Sequence, residues 1–196
     1  MTYAKIKSAS LKLFSDKGFY GTTIKEIAAE AGLKPSSVYS HITSKENVFL
    51  DIWKECFENT LKSVESITMK VEKGEESNPE IILYEYFSKI IRHFLNNKNE
   101  YLFLKKTICI SEYRDILSQN AVKNFVNNQD YIEYFGKFFI ELQEKNIIIE
   151  SDCKDLFIYY VGVIIAYLEE ALEYNINLNY EHIDKFWNLF WKGILK

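Results

Sequence analysis

Leu156 to Leu168 reads LFIYYVGVIIAYL, thirteen residues without a single charge. A helix apolar on nearly every side cannot stand in water, and thirteen residues fall short of the roughly 20 needed to cross a bilayer. The segment must therefore lie inside a folded protein, covered on most sides by other elements. What can cover it is limited by punctuation. Two prolines and seven glycines in 196 residues favour long helices over a turn-rich β fold. With 47% apolar and 16% aromatic residues, such helices have ample surface to bury.

Helical periodicity runs through the chain. Ile6, Ala9, Leu13 and Phe14 share one face of a first helix, which Gly18 ends. A second helix is expected from Ile24 to Ala31, a third from Pro35 to Ile42, and a longer one from Lys45 carrying Val48, Phe49, Ile52, Trp53 and Cys56. KGEESNPE (73–80) is the clearest break, with Pro79 placed to open the next helix. Polar clusters then divide the remainder into helices expected over about 79–95, 98–110, 112–144, 153–174 and 180–194. NIIIE (146–150) has β-branched, strand-like content but no partner strand, so it is expected to be a connection.

Other classes are disfavoured. MTYAKIKSASLKLF mixes lysines into its apolar residues, unlike a signal peptide. Cys56, Cys109 and Cys153 are odd in number, far apart and without a CxxC pair, which points to a reducing cytoplasm and away from disulfides or a metal site. His41, His93 and His182 do not cluster, and no HExxH, GxSxG or phosphate-loop signature occurs, so neither an enzyme nor a cofactor is expected.

The charge is unevenly spread. Net charge is −4 overall, yet residues 1–50 hold seven lysines against Asp16, Glu26, Glu30 and Glu46. A basic head on an acidic body can approach a polyanion despite the overall sign. Within that head, TTIKEIAAEAGLKPSSVYSHITSKENVF (22–49) has a definite physical form. Thr23 and Glu26 make a capping box, which starts the second helix at Ile24. Ala28 leaves room for a close helix crossing, and Gly32 supplies the left-handed turn of a helix-turn-helix.

Lys34 precedes Pro35, which sits at the first helical position and leaves Lys34 as an N-cap that cannot cap. Turning Val38 and Ile42 inward sets Ser36, Ser37 and Ser40 outward, flanked by Tyr39 and His41. Thr43 or Ser44 can cap the following helix. A face of small hydroxyls can press closely into a groove. Phosphates suit Lys45, the Tyr39 hydroxyl and the amides that follow Thr22 and Thr23. The head has no arginine to read guanine, so Lys34, Pro35, Ser36 and Ser37 are the candidates for base edges, and an A·T-rich site read partly by shape is expected.

Phe14, Gly18, Thr22-Thr23-Ile24, Ile27-Ala28, Ala31-Gly32-Leu33, Val38-Tyr39 and Ser44-Lys45-Glu46 ahead of Val48-Phe49 together resemble the TetR family of transcriptional regulators. The resemblance covers the first quarter of the chain. It departs at Lys34, where the family often has Ser or Thr, and at Ser40 and Ile42, where aromatics are common. It implies an all-α protein: a three-helix helix-turn-helix DNA-binding domain at 1–47, then a helical ligand-binding and dimerisation domain at 48–196. It places Tyr39 and Lys45 on phosphates and the helix at 35–41 in the major groove. It also implies a homodimer on palindromic operator DNA, a repressor released by a small-molecule effector, and no enzymatic activity.

For the body, the resemblance implies a dimer interface on its last two helices. Candidates are Tyr159, Gly162, Val163, Ala166, Phe186, Trp187, Phe190 and Trp191. Gly162 and Ala166, four apart, permit close helix approach. An effector pocket is expected among the middle helices, with Phe87, Phe94, Phe103, Tyr113 and Tyr160 as apolar walls and Arg92 and His93 as polar anchors, which favours a hydrophobic or aromatic ligand. The rival reading is a helical carrier or sequestering protein, which would share the body without specific DNA binding.

Overall fold

The capping box forms as the spacing predicts. In the computed structural model, which describes residues 2–109, 128–174 and 180–196, Thr23 Oγ1 accepts from the Glu26 amide at 3.2 Å and the Glu26 carboxylate accepts from the Thr23 amide at 2.8 Å. Helix α2 (Ile24–Glu30) starts there. It follows α1 (Thr2–Lys17) and precedes α3 (Pro35–Tyr39) and the long α4 (Lys45–Glu72). Five more described helices follow: α5 (Pro79–Asn96), α6 (Lys98–Cys109), α7 (Asn128–Glu144), α8 (Cys153–Leu172) and α9 (Tyr180–Ile194). Among the described residues every regular element is a helix, so the all-α reading holds. No described helix is long and apolar enough to cross a membrane.

Two compact units share these helices. The first contains α1 to α3, α4 as far as Asn59, and α6. Its core is aromatic: Phe14, Phe19, Phe49 and Phe103 pack with ring centroids 5.1 to 6.2 Å apart. Trp53 donates its indole N–H to the Thr107 hydroxyl at 3.3 Å, a buried link between α4 and α6. Phe103, expected in an effector pocket, is thus a core ring of the unit that carries the helix-turn-helix. Its partners lie 54 and 89 positions away in sequence, beyond the reach of local pattern.

The second unit contains α4 from Thr60, then α5, α7, α8 and α9. Here Leu156, Tyr160, Ile164, Tyr167 and Leu168 form the inner stripe of α8 and are buried. Tyr160 is surrounded by Phe87, Phe135, Phe139 and Phe190 at 5.6 to 6.3 Å. Its hydroxyl donates to the Leu83 carbonyl at 2.7 Å, and burial pushes its pKa well up. A second hydroxyl group ties three helices, with Tyr86 between Thr68 at 2.7 Å and Tyr134 at 3.0 Å.

Two expectations change. The third helix ends at Tyr39 instead of Ile42, although the Ile42 amide still reaches the Val38 carbonyl and its side chain stays buried. NIIIE also finds a partner: Ile148 makes an antiparallel bridge to Leu195, and the Ile149 amide donates to the Ile194 carbonyl at 2.8 Å. The strand-like residues pair with the C-terminal tail, which no local pattern foretold. The helix expected at 112–144 is described only from Asn128, and Tyr113 lies outside the described residues.

Candidate nucleic-acid interface

The face of α3 is built by two inward residues. Val38 and Ile42 are buried, and this turns Lys34, Pro35, Ser36, Ser37, Tyr39, Ser40 and His41 to solvent. Tyr39 is 63% exposed, a large aromatic with no cover. Ser36 and Ser37 keep their hydroxyls unbonded among the described residues, whereas Ser40 donates its own to the Ser37 carbonyl at 2.8 Å. Lys34 is extended at φ −77°, ψ 144°, and makes no capping bond. Gly32, at φ +67°, closes the turn from α2, and the Leu33 amide returns to the Ala28 carbonyl at 2.8 Å. Ser44 caps α4, its hydroxyl accepting from the Asn47 amide.

The head's seven lysines are sharply divided. Lys7 pairs with Glu55, Lys12 with Glu30 at 2.6 Å and Lys17 with Glu26 at 2.7 Å. The Lys17 hydrogen bond, with the Thr23 amide, draws the Glu26 carboxyl down to about 2. Lys5, Lys25 and Lys34 remain exposed and unpartnered among the described residues. Lys25, one residue into α2, was not among the sequence candidates. No local pattern marks it, because Lys7 and Lys17 also lack an acid three or four residues away and find theirs on another helix.

Two candidates are placed otherwise than expected. Thr22 is fully buried, its hydroxyl 2.8 Å from the Gly18 carbonyl, so its side chain offers nothing to DNA. Lys45 turns inward: Nζ donates to the Phe19 and Thr22 carbonyls, both at 2.8 Å, and lies 4.1 Å from the centroid of the Phe19 ring. Loss of solvent lowers its pKa. The Thr22 hydroxyl is thus used within the chain, whereas the half-buried Lys45 ammonium directs two of its three N–H groups there. Thr23 stays exposed at the start of α2.

Residues 6–52 match the sequence pattern of bacterial regulatory proteins of the tetR family. The head is a tetR-family domain. The relatives extend that kinship unevenly. YerO, an HTH-type transcriptional regulator of Bacillus subtilis, is 25% identical over 193 residues, 93% of this chain and 60% of YerO. IcaR of Staphylococcus aureus, the negative transcriptional regulator of the biofilm operon icaADBC, is 39% identical over 54 residues, 28% of this chain and 29% of IcaR. The chain therefore spans less than two thirds of either relative. Among solved structures, AibR in complex with isovaleryl coenzyme A and operator DNA matches at TM-score 0.71 and 19% identity, over 96% of this chain and 97% of AibR. Over nearly its whole length the chain thus shares the fold of AibR.

The body carries a second surface. On α8, Ile158, Tyr159, Gly162, Ile165 and Ala166 form an exposed stripe opposite the buried one. With Val163 of α8 and Phe186 and Leu189 of α9, part of this stripe lines a shallow apolar groove of about 360 Å³ floored by Phe190. Leu189 is 70% exposed, and a Cβ added at Gly162 would meet nothing within 4 Å. Trp187 and Trp191, expected on this face, are buried within the unit instead, Trp187 lying 5.6 Å from Phe87. The strongly one-sided apolarity of α9 puts its largest rings inward and leaves Leu189 outside.

The effector candidates scatter. Phe87, Phe94 and Tyr160 are buried in the second unit, His93 is half-buried with its ring edge-on to Phe94 at 5.0 Å, and Arg92 is exposed. Phe87 and Tyr160 pack against each other at 6.0 Å. No group of His, Cys, Asp and Glu capable of holding a metal occurs among the described residues.

Proposed function

We propose that the protein is a TetR-like transcriptional repressor that binds a palindromic operator as a homodimer and is released by a small hydrophobic or aromatic effector. One observation carries the reading: a tetR-family head in which Val38 and Ile42 are buried while α3 presents Lys34, two free serine hydroxyls and an uncovered Tyr39. Small hydroxyls allow close approach to base edges, and Tyr39 with Lys34 and Lys25 meets the flanking phosphates. Such a regulator works in the cytoplasm, where the DNA is, and catalyses no reaction.

The apolar stripe of α8 and α9 supports dimerisation, because so large an uncovered apolar face is costly in water. Pairing two heads puts their half-sites roughly 34–36 Å apart, one turn of DNA. IcaR is named a negative regulator and AibR is named with an acyl-coenzyme A ligand and operator DNA, both in keeping with ligand-released repression. Release requires the effector to favour the non-binding state by the coupling free energy, and a 100-fold loss of operator affinity needs about 2.7 kcal/mol. The ring-dense second unit suits an apolar ligand.

A gel shift with the DNA upstream of the protein's own reading frame tests the proposal. Retardation that survives excess unrelated DNA is expected. A carrier or sequestering protein would retard neither.

A further inference from the structure

An exposed apolar stripe asks to be covered, and the charges and gaps along it decide how the cover can lie. On α8, Asp155, Gly162 and Glu169 recur every seven residues, and Glu173 stands one turn beyond. The outer face of α8 thus has acids at both ends and a gap at its middle, where a Cβ added at Gly162 would meet nothing within 4 Å. On α9, Lys185, Leu189 and Lys192 share one face by the same spacing, and all three are exposed. That face has a knob, the 70% exposed Leu189, set between two bases. The helices run antiparallel, since Tyr167 packs on Phe186 at 4.9 Å and Tyr159 on Phe190 at 5.2 Å. Glu169 therefore lies level with Lys185, Gly162 with Leu189, and Asp155 with the last turn of α9, which holds Lys192.

Two copies can be laid face to face about a two-fold axis in two ways. An axis across the groove lays α8 on α8 and α9 on α9. Asp155 then meets Glu169, Lys185 meets Lys192, and the two Leu189 knobs crowd the same space. An axis along the groove instead lays each α8 over the α9 of the other copy, with levels kept. We infer, on the pairing of copies proposed above, that the second arrangement is the one this chain adopts: Leu189 seats on the partner's Gly162, with Glu169 against Lys185 and Asp155 against Lys192. Shape and charge select it independently. Each ion pair adds little affinity at an exposed rim, but like charges in the other arrangement oppose it at every level, so the charges set the arrangement more than the strength.

Cross-linking reads the arrangement directly, in full-length chains that also carry Cys109→Ser and Cys153→Ser. An equal mixture of Gly162→Cys and Leu189→Cys chains should oxidise to a covalent dimer, since bridged Cα atoms lie about 4.4–6.8 Å apart, whereas neither variant alone should do so. Sedimentation supplies an independent readout. Lys185→Glu combined with Lys192→Glu should raise the dimer Kd about tenfold, and adding Asp155→Lys with Glu169→Lys should bring it back. An unchanged Kd in the first of these is what α9 on α9 would give, and it overturns the inference. So does a wild-type dimer whose Cys variants cross-link with themselves, or fail to cross-link in the mixture, although pairing as such would stand. A wild-type chain that stays monomeric overturns the pairing and the arrangement together.

Discussion

Glu26 holds three things together: the Thr23 amide, the Thr23 hydroxyl and, across to α1, the Lys17 ammonium. Its carboxyl is depressed to about 2 against an ordinary value of 4.5. A depressed acid contributes stability that is fully present above the unfolded value and is lost as pH falls through the folded one. Wild type should therefore melt higher than Glu26→Gln above about pH 4.5, with the gap closing toward pH 2, read from thermal unfolding across that range. A gap independent of pH would mean the carboxylate charge is idle. The free lysines make a separate expectation. Lys25→Met and Lys34→Met should each weaken DNA binding and flatten the plot of log K against log salt by about 0.9 per head, whereas Lys12→Met, already paired with Glu30, should leave the slope alone.

At the level of elements, what the sequence made legible is what is locally determined. The capping box needs residues three apart, the α3 face needs Val38 and Ile42 four apart, and the Gly32 turn needs one residue without a Cβ. These came through with their boundaries nearly right. What was not legible depends on distant partners. Nothing local shows that the Lys45 ammonium donates to the carbonyls of Phe19 and Thr22, 26 and 23 residues away. Phe103 looks like a pocket wall until Phe14 and Phe49 enclose it. Trp187 and Leu189 lie two apart on one helix, and only packing decides which is core and which is surface. That division yields a prediction for the α8–α9 face. Leu189→Glu sets an unpaired charge in the proposed dimer contact while touching no core ring. It should convert dimers to monomers in sedimentation without lowering the melting temperature of the monomer, whereas Trp187→Glu, a charge set in the core, should unfold the chain.

For the whole molecule, one head with three free lysines cannot hold an operator tightly. In the proposed function affinity comes from pairing two heads, and joining them raises it by about 100-fold or more over a single head. Under the proposed function the α8–α9 face pairs two copies and the α3 face of each reads a half-site. Leu189→Glu should accordingly cost about 100-fold in operator affinity although it lies on the body. Selection of binding sites from random duplex DNA by the full-length protein is the decisive measurement of dimeric operator binding. An inverted repeat with A·T-rich half-sites whose centres lie roughly 34–36 Å apart is expected. Recovery of no common sequence, or of a single unrepeated half-site, would contradict it.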